Sequence, residues 1–468
     1  MKITLIGLGV GSDGVSIKAL NVLKNAEVVI CKTALTESAA VFDKYSVKAE
    51  FLDDFFAKSR NFDTLASKLA AYVIKRSKQT PVVYCVDGSV TDDNSCAEIL
   101  KKCKDTEVID GVSHSLSVLS RLTGRGGYTA LSAYNAADFS IGAIRPFVLY
   151  DIDNKFVASD WKLRLTDAFG DTAPAVLYID GKAQNIPLYM LDTFEKYDYS
   201  TVLVVFKQDF VQKERFCVED LFKIIYALRA ENGCPWDKVQ TRNSISKNLL
   251  EECYELYDAI KRDDSTDIIE ESGDVLLQLV FQTVFGEENH EYLRSDVVSG
   301  ICSKLIFRHS HVFGNDNAKN GDEALVLWEK NKSIEKGYEN GAEYLALVPK
   351  SFPGVMRAQK LQKRAAKYNF DFSSVEQIYG KINEECEEIK SAASGGGNVA
   401  EEIGDLLFTA VNLARFYHVD AEEALYAANE KFLKRFSRLE QAVKSDGKKL
   451  ENLTEEEIDK YYNEIKKS

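Results

Sequence analysis

The chain has 468 residues, 45% of them apolar, with 73 acidic against 59 basic side chains and a net charge of −14. This length suggests two to four domains, and the apolar share supports substantial cores, which excludes a disordered chain. The acidic balance argues against binding a nucleic-acid polymer, and no apolar run approaches the roughly 20 residues that span a bilayer, so no membrane partner is expected.

The opening "MKITLIGLGVGSDG" has one lysine and a short apolar run that breaks into glycines. It reads as a first strand and not as a signal peptide. Nine scattered cysteines with no CxxC pair suit a reducing cytosol better than a disulfide framework, so a cytoplasmic location is expected.

Residues 1–205 alternate β-rich runs with helical segments. The runs are "KITLIGLG", "EVVICK", "PVVYCV", "EVID", "PFVLYDI", "PAVLYI" and "STVLVVF". Such alternation predicts an α/β domain. Gly7, Gly9 and Gly11 stand where the first strand turns toward a helix. A GxGxG turn is a weak signal, and a tight turn explains it equally well. The Rossmann context is missing, because no acidic residue clearly ends a second strand about 20 residues on. His114 reads as structural.

Residues 206–216 form a predicted linker, and from about 217 onward nearly everything has helical periodicity. This half contains a repeat. "EECYE" (251–255) returns as "EECEE" (384–388), an offset of 385 − 252 = 133. "EESGDVLLQLV" returns as "EEIGDLLFTAV" at 402 − 271 = 131, and "KLIFR" as "KFLKR" at 431 − 304 = 127. "WEKNK" returns loosely as "YNEIK" at 462 − 328 = 134. Four matches in one order at nearly one offset predict two tandem helical domains, 217–345 and 346–468, with Pro349 and Pro353 near the break.

Both copies set carboxylates into apolar helices. Glu251, Glu252 and Glu255 share one helix side, and Glu271 and Asp274 share another. The second copy repeats this with Glu384, Glu385, Glu388, Glu402 and Asp405. One such run is usually a solvated face. Duplicated runs within apolar stretches are not so easily dismissed, because converging carboxylates repel and are expensive to desolvate. A divalent cation resolves that conflict. Oxygen-only ligands favour Mg²⁺ or Mn²⁺ over zinc, and hard ions held by carboxylates usually handle phosphates. Lys304/Arg308 and Lys431/Arg435 lie four apart and suit phosphate oxygens. Trp328 and Tyr462, with Lys332 and Lys466 one turn on, offer a stacking face and a further cation.

"GCPWDKVQT" (233–241), "LLEECYE", "EESGD", "RHSHVFG" (308–314) and "MRAQKLQKRAA" (356–366) resemble the MazG family of nucleoside triphosphate pyrophosphohydrolases, over about 217–468. The resemblance implies an all-α fold, a homodimer, Mg²⁺ dependence and hydrolysis of an NTP to NMP and pyrophosphate. It places the metal on Glu252, Glu255, Glu271 and Asp274, and on Glu385, Glu388, Glu402 and Asp405. Glu252, Glu255, Glu385 and Glu388 would be the catalytic carboxylates, and Trp236 in "CPWD" would join the nucleotide-binding set. The second copy has Tyr462 in place of tryptophan and a lysine-free "SGGGN" loop (394–398), but each copy keeps a full carboxylate set.

"ITLIGLGVGSDGVSIKALNVLKNAEVVICKT", "VVYCVDGSV" (82–90), "EVIDGVSHSLSVLSRL" (107–122) and "YTALSAYNA" (128–136) resemble the tetrapyrrole methylases, over about 1–205. "YDIDNKFVASDWKLRL" (150–165) is similar to the YabN-type branch, where such a domain is fused to MazG. This implies two α/β lobes and S-adenosylmethionine at Gly7, Gly9, Gly11, Asp87, Gly88, Ser113 and Ser115. Three prolines usual in these motifs are replaced by Val10, Val90 and Asp110. Proline stiffens a loop, so looser cofactor loops and little or no methyl transfer are expected. Two other readings stand beside the pyrophosphohydrolase: a methyltransferase with a structural or regulatory MazG half, and a non-catalytic dimerisation scaffold.

Overall fold

The computed structural model describes residues 2–59, 62–122, 127–139, 146–179, 182–337 and 340–467. Packing divides the chain into two compact units, Met1–Val297 and Val298–Ser468.

The first unit opens with a parallel sheet of β1 (Ile3–Gly7), β2 (Val28–Cys31), β3 (Glu50–Phe51), β4 (Val82–Val86) and β5 (Thr106–Ile109), in the order β3-β2-β4-β1-β5. Strands covered on both faces read as unbroken apolar runs. Accordingly every residue of "ITLIG" and "VVYCV" is buried. The helix Ile17–Asn25 returns the chain from β1 to β2, and the Ser16 side chain caps it by accepting from the Ala19 amide.

A second sheet holds β6 (Thr129–Ser132), β7 (Phe147–Tyr150), β8 (Pro174–Ile179), β9 (Lys182–Pro187) and β10 (Val202–Val205), in the order β6-β7-β10-β8-β9. β6 and β7 are parallel, and the other pairings are antiparallel. Its core is aromatic. Trp161, on the helix Lys155–Phe169, is 1% exposed, packs edge-on against Phe139 at 5.3 Å, and donates its Nε1 hydrogen to the Ala133 carbonyl at 2.8 Å. All seven predicted strands are present. β3, β6 and β9 were not predicted. β3 is two residues long, and the polar β9 (KAQNIP) lacks a strand-like apolar alternation.

Past β10 the described residues form helices and connecting turns. The predicted linker is firmly tied down. Asp220, 3% exposed, accepts hydrogen bonds from Lys213, from Lys223 at 3.0 Å and from the Cys217 amide at 3.2 Å, at the start of the helix Val218–Arg229. Helical hairpins follow: Ser246–Arg262 with Ser265–Glu288, then Val375–Ser391 with Val399–Phe416. No helix among the described residues is long and apolar enough to cross a membrane.

Candidate metal and nucleotide site

In the first hairpin Asp263 turns the chain in the left-handed conformation (φ 55°), and Asp264 caps the second helix by accepting from the Thr266 amide at 3.0 Å. This tight return brings Glu252, Glu255 and Glu271 together, with one carboxylate oxygen from each within 4.8 Å of the others. Burial, then the charges of Asp274 and Glu255, raise the pKa of Glu252. Burial, then Glu255 and Asp274, raise that of Glu271, whose Oε2 is buried without a hydrogen-bond partner. Asp274 therefore adds its field to a trio that it does not itself complete.

The second hairpin repeats the arrangement with Glu385, Glu402 and Asp405 inside the same 4.8 Å limit. The connection differs: the first helix runs on through a wide turn, Ala392–Gly396, with Gly395 at φ 97°, and Asn398 caps the next helix. Burial, then the Glu385 charge, raise Glu388, so it adjoins the trio in the way Asp274 does in the first copy. Glu385 is 3% exposed, and its Oε2 is buried without a partner. Lys381, one turn earlier, reaches both Glu384 and Glu385 at 2.8 Å. The offset of 133 puts Asn248 at that place in the first copy. The two acid clusters thus differ in one member of the trio, Glu255 against Asp405, and in counter-charge.

Three of the predicted nucleotide-binding residues meet. Trp328 carries the Arg308 guanidinium 5.1 Å from its ring centre and the Lys332 ammonium at 4.5 Å. Arg308 is 8% exposed and donates to Glu335 at 2.7 Å. Asn331 pins the neighbouring helix end by donating to Ser310 Oγ at 2.8 Å. Burial lowers the pKa of Lys332, and Lys360, Arg308 and Arg364 lower it further against the opposing charge of Glu329. In the second copy Lys466 lies 4.8 Å from the Tyr462 ring centre. Lys304 and Arg435 are half-buried, and Lys431 is exposed. Trp236 is 59% exposed.

In the first unit, the glycine loops pack on one another. Gly9 and Gly88 exchange two backbone hydrogen bonds of 3.0 Å. A Cβ on Gly7 would lie 2.6 Å from both the Gly111 nitrogen and the Gly88 oxygen, and one on Gly9 (φ 74°) would lie 2.3 Å from the Gly14 oxygen. Gly7 is required by contact between loops, and Gly9 by the return of its own loop onto Gly14. Gly11 (φ 77°) faces more open space, with only Glu37 Oε2 at 3.9 Å. Asp87 is held by Ser38 and by His114, whose Nε2 lies 2.5 Å from Asp87 Oδ2. Ser113 and Ser115 bond each other at 3.0 Å. The expected loosening does not occur at Asp110. Its carboxylate accepts from Ser89 Oγ at 2.9 Å, the Val90 amide at 2.7 Å and the Gly111 amide at 2.9 Å, cross-linking two loops with hydrogen bonds.

The family model of the MazG nucleotide pyrophosphohydrolase domain matches residues 240–313 and again 373–438. That of the tetrapyrrole (corrin/porphyrin) methylases matches 2–124. The uncharacterized protein YabN of Bacillus subtilis (strain 168) is 31% identical over 486 aligned residues, covering 100% of this chain and 99% of that protein. This chain belongs to the YabN family. It is also 39% identical over 255 residues to a nucleoside triphosphate pyrophosphohydrolase of Escherichia coli (strain K12), covering 53% of this chain and 97% of that protein. A nucleoside triphosphate pyrophosphohydrolase/pyrophosphatase MazG of Thermotoga maritima is 39% identical over 248 residues, covering 53% and 95%.

In this YabN-family chain, sequence reasoning overlooked three kinds of residue. Lys381 was legible in principle, since it precedes Glu385 by four positions on one helix. Glu335 carries no motif that points to Arg308, and Arg364 lies in "MRAQKLQKRAA", where nothing in the spacing points to Lys332. The acids Asp92, Asp151 and Asp153 line a cavity of the methylase-like domain; Asp92 ends the short turn Val90–Asp92, and Asp151 and Asp153 share the segment after β7.

Proposed function

We propose that the helical half hydrolyses nucleoside triphosphates to NMP and pyrophosphate. In this reading Mg²⁺, with Mn²⁺ as substitute, is held by Glu252, Glu255, Glu271 and Asp274, and by Glu385, Glu388, Glu402 and Asp405. The carrying observation is the pair of converging carboxylate trios, one in each copy. Their residue chemistry fits a hard divalent ion: all donors are oxygen, and buried oxygens of Glu271 and Glu385 lack hydrogen bonds. When bound, such an ion polarises phosphoryl oxygens and makes a water more acidic. Glu252, Glu255, Glu385 and Glu388 are the proposed catalytic carboxylates. The chain's own cations then neutralise phosphate charge: Lys304, Arg308 and Lys332 in one copy, Lys431, Arg435 and Lys466 in the other. Trp328 and Tyr462 offer faces for a base, as does the exposed Trp236. The relatives named nucleoside triphosphate pyrophosphohydrolases support the reaction class.

The test is direct. The purified chain, given each NTP with Mg²⁺, is expected to release pyrophosphate, and EDTA is expected to stop it. Orthophosphate as the sole product, or turnover indifferent to EDTA, would sink the assignment.

We further propose a homodimer through the helical half. Phe408, Phe432, Leu433 and Phe436 in the second unit are each at least 40% exposed, a larger apolar display than a solvated helix face needs. Light scattering at micromolar concentration is expected to give twice the chain mass of 52.5 kDa. A monomer mass would contradict this. The proposed domain limits are 1–205, 217–345 and 346–468, with 206–216 between. For the methylase-like domain, S-adenosylmethionine remains a candidate ligand near Gly11, Asp87, Ser113 and Ser115. Gly7, Gly9 and Gly88 shape the loops around it, and methyl transfer is not proposed. All nine cysteines are free thiols, which fits a reducing, cytoplasmic setting.

A further inference from the structure

The two carboxylate clusters carry the same four acids at matching places. Glu252, Glu255, Glu271 and Asp274 of the first copy correspond to Glu385, Glu388, Glu402 and Asp405 of the second (385 − 252 = 133, 402 − 271 = 131). Their surroundings are not equal in charge. In the second copy the Lys381 ammonium stands 2.8 Å from Glu384 and 2.8 Å from Glu385. All three lie on the helix Val375–Ser391, and a spacing of four keeps Lys381 beside Glu385. The Glu385 side chain is 3% exposed, so salt screens this pair less than a pair on the open surface. In the first copy the residue one turn before Glu252 is the uncharged Asn248. Among the described residues no ion pair reaches Glu252, Glu255, Glu271 or Asp274. Arg262, in the same hairpin, engages Asp258 at 3.0 Å and Asp267 at 2.8 Å instead.

A divalent ion binds such a cluster by relieving the repulsion among its carboxylates. In the first copy no ammonium opposes that repulsion, so an ion gains the whole of the relief. In the second copy Lys381 already supplies part of it. An ion entering there shares Glu385 with a resident ammonium and is repelled by it. Lys381 also holds Glu385 steady, which favours a metal ligand. The double charge of the ion makes the repulsion the larger of the two effects. The second cluster still has an acceptor to offer, because Glu385 Oε2 is buried without a hydrogen-bond partner. It therefore takes an ion, but at a higher concentration than the first.

We propose that Lys381 sets the metal affinity of the second copy below that of the first, so that the first cluster keeps its ion at free Mg²⁺ levels where the second is largely empty. Lys381 acts through Glu385 and is not itself a ligand of the ion. The inference deepens the pyrophosphohydrolase reading and rests on it.

The test titrates the metal-free full chain with Mn²⁺ and follows the electron paramagnetic resonance signal of the free ion, which reads occupancy without any turnover. Two classes of site are expected. Glu255→Gln should remove the tighter class and Glu402→Gln the weaker, each leaving the other in place. Lys381→Met is expected to tighten the weaker class at least about tenfold, and Asn248→Lys to loosen the tighter class by a similar factor. Both changes put a straight-chain helix former at a half-buried helix position, so the helices are kept, and circular dichroism checks this. A single class of equal affinity in the wild type would overturn the inference. So would loss of the tighter class in Glu402→Gln, or a Lys381→Met variant whose weaker class is unchanged or loosened. Those results leave the pyrophosphohydrolase reading standing. Absence of Mn²⁺ binding at both clusters at millimolar concentration would overturn the two together.

Discussion

Glu255→Gln combined with Glu388→Gln is expected to abolish pyrophosphate release while making the metal-free protein more resistant to heat. The charge of Glu255 raises both Glu252 and Glu271, and Glu388 is itself raised by Glu385 and Glu402. Replacing either with the isosteric amide takes one negative charge out of a crowded group, so the repulsion stored in the apo state falls. The same change removes an oxygen charge from the proposed ion site. Even an outer-shell partner of a metal ligand is worth about 10–100-fold, so the loss on changing these carboxylates should be on the order of 100-fold or more. A solvated glutamate behaves differently, shifting stability by no more than about 0.5 kcal/mol and activity not at all. The measurements are pyrophosphate release and the melting temperature with and without Mg²⁺, for each single variant and the double. A double variant with wild-type turnover and an undiminished Mg²⁺-induced shift would falsify the metal-site reading for both copies. If one single variant alone silences the protein, it identifies the working copy.

Asp220→Ala is expected to cost about 3–5 kcal/mol, the usual penalty for stranding one member of a buried ion pair. The side chain of Lys213 is 6% exposed, with its ammonium 5.4 Å from the Phe216 ring centre and 5.9 Å from that of Phe210. Without Asp220 that ammonium keeps, among the described residues, only aromatic faces for company. Burial opposes the Asp220 charge, but the bonds from Lys213, Lys223 and the Cys217 amide outweigh it and hold the carboxyl well below its ordinary range. A depressed folded-state pKa gives stability that is complete above the unfolded value of 3.8 and is lost as pH falls through the folded one. Urea titrations of wild type and variant should therefore differ fully above about pH 4 and draw together progressively as pH falls below it. Replacing both partners, Lys213→Met with Asp220→Leu, is expected to recover most of the loss, because an apolar pair of similar volume carries no desolvation penalty. A variant as stable as wild type at pH 7 would show that the junction is a loose tether and not an anchored entry to the helical half.

Much of this protein was legible locally. Buried parallel strands must be apolar throughout, so "ITLIG" and "VVYCV" announce themselves. A helix places positions three and four apart on one side, so Glu252 with Glu255 and Glu402 with Asp405 could be paired on paper. Duplication then did the rest, since a repeated order of acids and bases is hard to attribute to solvated surface. What spacing could not supply was the partner across space. That Glu271 closes on Glu252 and Glu255 depends on the tight turn at Asp263 and Asp264, and that Arg308 is matched by Glu335 depends on two helices meeting. The glycines of the first loop looked like a cofactor cradle, yet Gly7 is small because the backbone of Gly88 and Gly111 lies against it, and Gly9 because Gly14 does. Asp110 looked like a loosened proline and is a cross-link. Asp92, Asp151 and Asp153 give no periodic signal, because periodicity reports the face of one element. Their meeting is fixed by two sheets whose strand ends share one cavity, a long-range consequence of topology that only the folded chain decides.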